Sequence, residues 1–188
     1  MTYEAKNYDN LIGIPGISES LLRNHFSLYQ GYVNNVNKLT DLLKDFVKDG
    51  PSHWELKRRF GWEWNGMRLH EYYFENLSKE KTQLDIDSDL YQKIVEDFGS
   101  YENWQSDFKA VGALRGIGWV ILYYDPIGNR LFNAWINEHD TGHLSGAKPI
   151  LVMDVFEHAY ITDYGIKKGD YIEMFFKLIN WKVVNNRF

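Results

Sequence analysis

The chain contains no cysteine. Thiolate metal sites, iron–sulfur clusters and cysteine nucleophiles are therefore excluded, and the absence fits a reducing compartment. No apolar run approaches the roughly 20 residues of a membrane span. The N-terminal stretch "MTYEAKNYDN" lacks the apolar segment of a secretory signal. These absences predict a cytoplasmic protein without a membrane partner. Basic charge is also short: 21 Lys and Arg against 26 Asp and Glu leave a net charge of −5. A nucleic-acid binder would carry a basic stripe, so no nucleic-acid partner is expected. The chain shows neither an internal repeat nor a low-complexity tract.

The 188 residues suit one compact unit or two small lobes sharing a core, with no need of a covalent staple. Aromatic residues make up 16%, including seven Trp and 13 Tyr, and most belong to that core. "GIPGIS" (13–18) is a loop ending at Ser18, a helix N-cap with Glu19 in the first turn. Leu21, His25, Leu28, Tyr32, Val36, Leu39 and Leu43 then recur at helical steps. His25 and Tyr32, seven apart, share that apolar face. After a loop around 48–53, a second helix is predicted over 54–77. Its stripe is Phe60, Trp64, Met67, His70, Phe74 and Leu77. Gly66, one turn before His70, is expected to leave empty space beside it. Two long helices joined by a short loop read as an antiparallel hairpin.

The polar stretch 78–88 is the expected linker, dividing the chain into an N-terminal domain over 1–82 and a C-terminal domain over 83–188. Short helices are predicted over 89–99 and over 100–114, the latter capped by Ser100. Residues 118–136 read as two strands around the turn "DPIGN", and 149–154 as a third. A single amphipathic helix over 170–184 closes the chain. The predicted class is α+β: a helical hairpin, then a lobe with a three-stranded antiparallel sheet and helices.

Six histidines, at 25, 53, 70, 139, 143 and 158, are the only soft ligands. Taken singly, His25 and His70 are ordinary hydrogen-bonded core residues. Asp154 alone is a helix cap or an ion-pair partner, and His158 alone a turn residue. Taken together they read differently. Two inward histidines come from one helical hairpin, and "DVFEHAY" (154–160) delivers an acid and a histidine from a buried strand. Three imidazoles and one carboxylate complete a ligand shell for a borderline transition metal.

These residues resemble the iron/manganese superoxide dismutase family over nearly the whole chain. "DVFEHAYITDYG" is similar to the family signature, with Phe156 where Trp is usual. "NWKVVNNRF" (180–188), "NGMRLHEYYFENL" (65–77), "GIGWVILYYD" (116–125) and "YVNNVN" (32–37) resemble its other motifs, in order. The resemblance implies metal ligands at His25, His70, Asp154 and His158, holding one iron or manganese ion per subunit. It implies catalytic roles for Tyr32, as gateway tyrosine, and for His139, where most members carry a glutamine that bonds metal-bound solvent. His139 together with Gly66 is similar to the archaeal-type branch. Trp119 and Trp181 match walls of the pocket, Lys167 a basic residue of the substrate funnel, and Glu157 a residue that reaches the partner's ligand histidine. Implied partners are superoxide and a second copy of the chain, as a homodimer or a dimer of dimers.

Two departures bear on the site. The family places eight residues between ligand and gateway tyrosine, so an ungapped match would put Asn24 at the ligand position. His25 is preferred because it lies on the apolar stripe. Leu28 and Tyr29 replace paired histidines, one of which normally bonds the tyrosine that is Tyr160 here. The implied reaction converts two superoxides to oxygen and peroxide. A hydrolase or oxygenase on a two-histidine–carboxylate metal is one rival reading. A scaffold that has lost its metal is the other.

Overall fold

The structure, a computed structural model, describes residues 2–45 and 49–188. Helix α1 spans Glu19–Asp45 and α2 Pro51–Glu75. α3 (Asp89–Phe98) and α4 (Tyr101–Gly112) follow, then strands β1 (Gly118–Asp125), β2 (Arg130–Asn137) and β3 (Lys148–Asp154). The chain ends in α5 (Ile161–Tyr164), α6 (Lys168–Leu178) and α7 (Trp181–Asn185). Two 3-10 turns, Asp9–Leu11 and Glu157–Ala159, complete it. The class is α+β, with a sheet of order β2-β1-β3 antiparallel throughout. No described helix is long and apolar enough to cross a membrane.

α1 runs unbroken. Ser18 caps it, its Oγ accepting from Leu21 N at 3.1 Å. Asp163 holds Ser18 in turn, accepting from its N and Oγ at 2.6 and 2.7 Å. Along the expected stripe Leu21, His25, Tyr32, Val36 and Leu39 are buried, while Asn24 is exposed. α2 begins at Pro51, earlier than the expected 54. Gly50 turns the chain at φ 97° and Pro51 opens the helix, where its missing N–H has no partner to lose. The loop expected over 48–53 thus shrinks to residues 49 and 50, with Lys48 outside the described residues.

Gly66 is not beside a void. A Cβ there would lie 2.6 Å from Tyr32 Cδ1 and 2.7 Å from Cε1. The hydrogen side chain lets the Tyr32 ring lie directly on α2, which sets how closely α1 and α2 approach.

The expected helix over 170–184 is two. Ile179 is extended, at φ −61° and ψ 125°, and pairs with Leu77 in an antiparallel bridge. Thr82 Oγ1 donates to Ile179 O at 2.6 Å and accepts from Trp181 N at 2.9 Å. Contacts from a hundred residues away win over local helical propensity, and Asn180 caps the new start by accepting from Val183 N at 3.4 Å. Residues 78–88 form no helix or strand, yet their first part is strapped to this break.

Asn76, fully buried, ties α2 to the sheet. Its Nδ2 donates to Val152 O of β3 at 2.6 Å, and its Oδ1 accepts from Arg187 Nη1 at 2.5 Å. Its carbonyl accepts from Asn180 N at 2.6 Å.

Two variants test this framework. Asn76→Ala removes two buried side-chain bonds, although Arg187 keeps Glu75 and the Tyr72 and Ile150 carbonyls, so the unfolding free energy should fall by about 2–4 kcal/mol. Gly66→Ala forces the Tyr32 ring to move, at about 1–3 kcal/mol. Urea unfolding measures both. Wild-type stability in Gly66→Ala would mean that the ring swings aside freely.

Candidate metal centre

Four residues from four elements converge behind the helical hairpin. His25 comes from α1, His70 from α2, Asp154 from the end of β3 and His158 from the 3-10 turn after it. Each offers one ligand atom, and these lie within 4.8 Å of one another. From Asp154 Oδ2 the distances are 3.1 Å to His25 Nε2, 3.2 Å to His158 Nε2 and 3.7 Å to His70 Nε2. The other carboxylate oxygen, Oδ1, accepts from Phe156 N at 2.8 Å, which leaves Oδ2 turned to the imidazoles. Tyr171 donates to the Asp154 carbonyl at 2.7 Å. His25, His70 and Asp154 are buried, and only His158 is part-exposed.

The protonation pattern identifies what this arrangement needs. His70 Nδ1 donates to the Gly66 carbonyl. A neutral imidazole then has a lone pair, not a hydrogen, on Nε2. That atom is buried without a hydrogen-bond partner and faces the Asp154 carboxylate. A lone pair facing an anion in a dry interior is unfavourable, and a cation between them would satisfy both. Burial pushes His25 down and His70 well below the ordinary histidine value, so both are neutral, the form that ligates. Burial pushes Asp154 up, but the His158 charge and the hydrogen bonds from His158 and His25 outweigh it. The carboxyl is held well below its usual range. With all three imidazoles in the neutral form that ligates, three nitrogens and one carboxylate oxygen fit an iron or manganese ion.

Aromatic rings wall the cluster. Tyr73 and Phe74 lie 5.2 and 4.9 Å from His25, Trp119 and Tyr32 5.0 and 5.2 Å from His70, and Phe156 5.1 Å from His158. In the sheet Trp119 stands opposite Asp154, so one register places a ligand and a wall together.

His139 lies just after β2, fully buried beside this wall. Its Nε2 is 2.7 Å from the Tyr32 hydroxyl, and its Nδ1 accepts from Trp119 Nε1 at 3.0 Å. Burial pushes it down to about 4.

Other expected site residues are not brought here. Trp181 packs on Tyr101 and Trp104, 6.1 and 5.8 Å away, on the far side of the C-terminal lobe. Lys167 is exposed at the start of α6, and Glu157 is exposed beside the ligand His158. Tyr29 turns inward and donates to Glu71 at 2.9 Å.

Two neighbours escaped the sequence reading. Trp62, two turns before His70, lies 4.5 Å from the His139 ring and 5.7 Å from Tyr32. Its helical phase with Gly66 and His70 was the available signal. His143 Nε2 bonds the His139 carbonyl at 2.8 Å, while its Nδ1 lies 2.7 Å from the Tyr123 hydroxyl. Its signal was the four-residue spacing in "HDTGH".

Residues 86–187 match the model of the iron/manganese superoxide dismutase C-terminal domain. A superoxide dismutase [Mn] of Haloferax volcanii is 38% identical over 170 residues, covering 89% of this chain and 84% of its own. A superoxide dismutase [Fe] of Cupriavidus metallidurans is 36% identical, covering 93% of this chain and 90% of its own. One from Aquifex pyrophilus, also named [Fe], is 34% identical, covering 98% of this chain and 90% of its own. On these grounds the chain belongs to the iron/manganese superoxide dismutase family.

Proposed function

We infer that the protein converts superoxide to oxygen and hydrogen peroxide, using one iron or manganese ion held by His25, His70, Asp154 and His158. The observation that carries the metal assignment is the partnerless His70 Nε2, buried and aimed at the Asp154 carboxylate. When bound, such an ion supplies reversible one-electron transfer, taking an electron from one superoxide and giving one to the next. The chain's own residues do the rest. One carboxylate and three imidazoles, neutral when they ligate, would hold down the charge of the site. Trp119, Tyr73, Phe74 and Phe156 keep bulk water from the donors. Peroxide leaves only after two protons arrive, and Tyr32 with His139 is the hydrogen-bonded pair placed to handle them. Burial raises the Tyr32 hydroxyl above the ordinary tyrosine value, so it holds its proton at neutral pH. A hydrolase or oxygenase needs a substrate pocket at the metal, whereas these donors are packed in rings.

Metal content and superoxide consumption, measured on one purified sample, test the whole reading. His25→Ala should lower metal affinity by more than the roughly 10–100-fold typical of a lost supporting bond. Asn24→Ala, altering an exposed residue, should leave it unchanged. The reverse result would move the ligand to Asn24.

The active form we propose is a homodimer in the cytoplasm. Glu157 is exposed and adjacent to the part-exposed ligand His158. Across a two-fold axis its carboxylate would accept the free N–H of the partner's ligand imidazole, with the bond made twice. Each such buried bond, once its acceptor is removed, costs about 1–3 kcal/mol. Glu157→Ala should therefore weaken both dimerisation and metal retention, followed by sedimentation and metal analysis of the same sample. A fully dimeric, fully metallated variant would send the carboxylate elsewhere.

A further inference from the structure

The hydrogen bonds around His139 fix where its proton sits. An indole nitrogen only donates, and Trp119 Nε1 lies 3.0 Å from His139 Nδ1. Nδ1 must therefore present a lone pair. The neutral ring then carries its one hydrogen on Nε2, which faces the Tyr32 oxygen at 2.7 Å. A doubly protonated ring would set N–H against N–H at Trp119. The ring is also clamped against flipping, with Phe156 stacked on it at 4.7 Å and Trp62 edge-on at 4.5 Å. The backbone is held as well: His143 Nε2 donates to the His139 carbonyl, and its Nδ1 lies 2.7 Å from the Tyr123 hydroxyl.

We propose that Trp119 locks His139 as the Nε2–H tautomer, so that Tyr32 accepts from His139 and its own hydroxyl hydrogen is free to point away from it. The bonds run in one direction, from Trp119 to His139 to Tyr32. His139 has no second N–H left for a solvent molecule bound at the candidate metal. A glutamine would differ, offering its oxygen to the indole and two N–H bonds to other partners. The donor role expected of His139 thus passes to the Tyr32 hydroxyl. His139 and Trp119 are positioning residues. The consequence for proton delivery rests on the dismutase reading, whereas the tautomer itself does not.

Neutron diffraction from metal-loaded crystals exchanged into heavy water tests the proposal. Deuterium is expected on Nε2 of His139 and not on Nδ1, with the Tyr32 O–D directed away from the imidazole. Deuterium on Nδ1 overturns it. In Tyr32→Phe the deuterium should stay on Nε2, because Trp119 still sets the tautomer; its transfer to Nδ1 would show that Tyr32 sets it instead. In Trp119→Phe it should redistribute toward Nδ1, and strict retention on Nε2 would remove Trp119 from the argument. If Trp119→Phe fails to fold, Tyr32→Phe still decides. A superoxide assay on the wild-type sample separates the two layers. An inactive protein with Nε2–D would sink the functional reading alone, and an active one with Nδ1–D the tautomer alone.

Discussion

A carboxylate in the dry interior is the constraint around which this molecule is arranged. Asp154 has no exposed surface, and an unpaired charge there would cost several kcal/mol. Several elements near it supply compensating groups. The backbone N–H of Phe156 occupies one oxygen, and α1 and the turn after β3 bring His25 and His158 to the other. Tyr171 reaches across from α6 to the carbonyl of the same residue. His70 Nε2, its ring proton committed to Gly66 on Nδ1, is left with a lone pair facing the carboxylate, and His25 Nδ1 is also buried without a partner. A cation relieves both the carboxylate and the His70 lone pair. The fold without an ion is therefore electrostatically unfinished, and ion binding and stability are linked.

That arrangement depends on how two helices meet. His25 and Tyr32 are seven residues apart on an unbroken α1, nearly two turns, so they share one buried face. His25 reaches Asp154 from one end of that face, and Tyr32 reaches His139 from the other. The Tyr32 ring can lie there because Gly66 has no side chain. Gly66 also gives its carbonyl to His70. One residue thus sets the helix spacing, admits the tyrosine and fixes the tautomer of a candidate ligand. The seven-residue step is a workable geometry without any insertion in the helix.

Much of this was legible because it rests on periodicity and turn chemistry. The α1 stripe, the Ser18 and Ser100 caps and the strand–turn–strand over 118–136 are written locally, and the fold class followed from their order. What escaped was decided by distant partners. Ile179 reads as helix interior, yet it is drawn straight by Leu77 and Thr82. Gly66 signalled missing volume, but a sequence does not tell which ring fills it. Trp181 is aromatic and near a family motif, yet α7 turns it toward Trp104. His143 and Trp62 carry no charge pattern of their own and matter only through what they touch. Local rules thus located the candidate ligands, while long-range packing determined which neighbours support them.

The supporting bonds share one property: their direction is imposed by groups that cannot reverse it. A backbone carbonyl only accepts, and it fixes His70 and His143. An indole N–H only donates, and it fixes His139. None of these partners titrates in the physiological range, so the direction of each of these bonds is a property of the fold. The exceptions are His25, whose buried Nδ1 has no hydrogen-bond partner, and His158. The Nε2 of His158 meets Asp154, but among the described residues no hydrogen bond holds its Nδ1, and it is the one candidate ligand that reaches the surface. A ligand imidazole without an outer partner is free to rotate and is a weaker base. The place where one chain leaves its site under-determined is therefore also where a second chain could complete it, and Glu157 lies beside that opening.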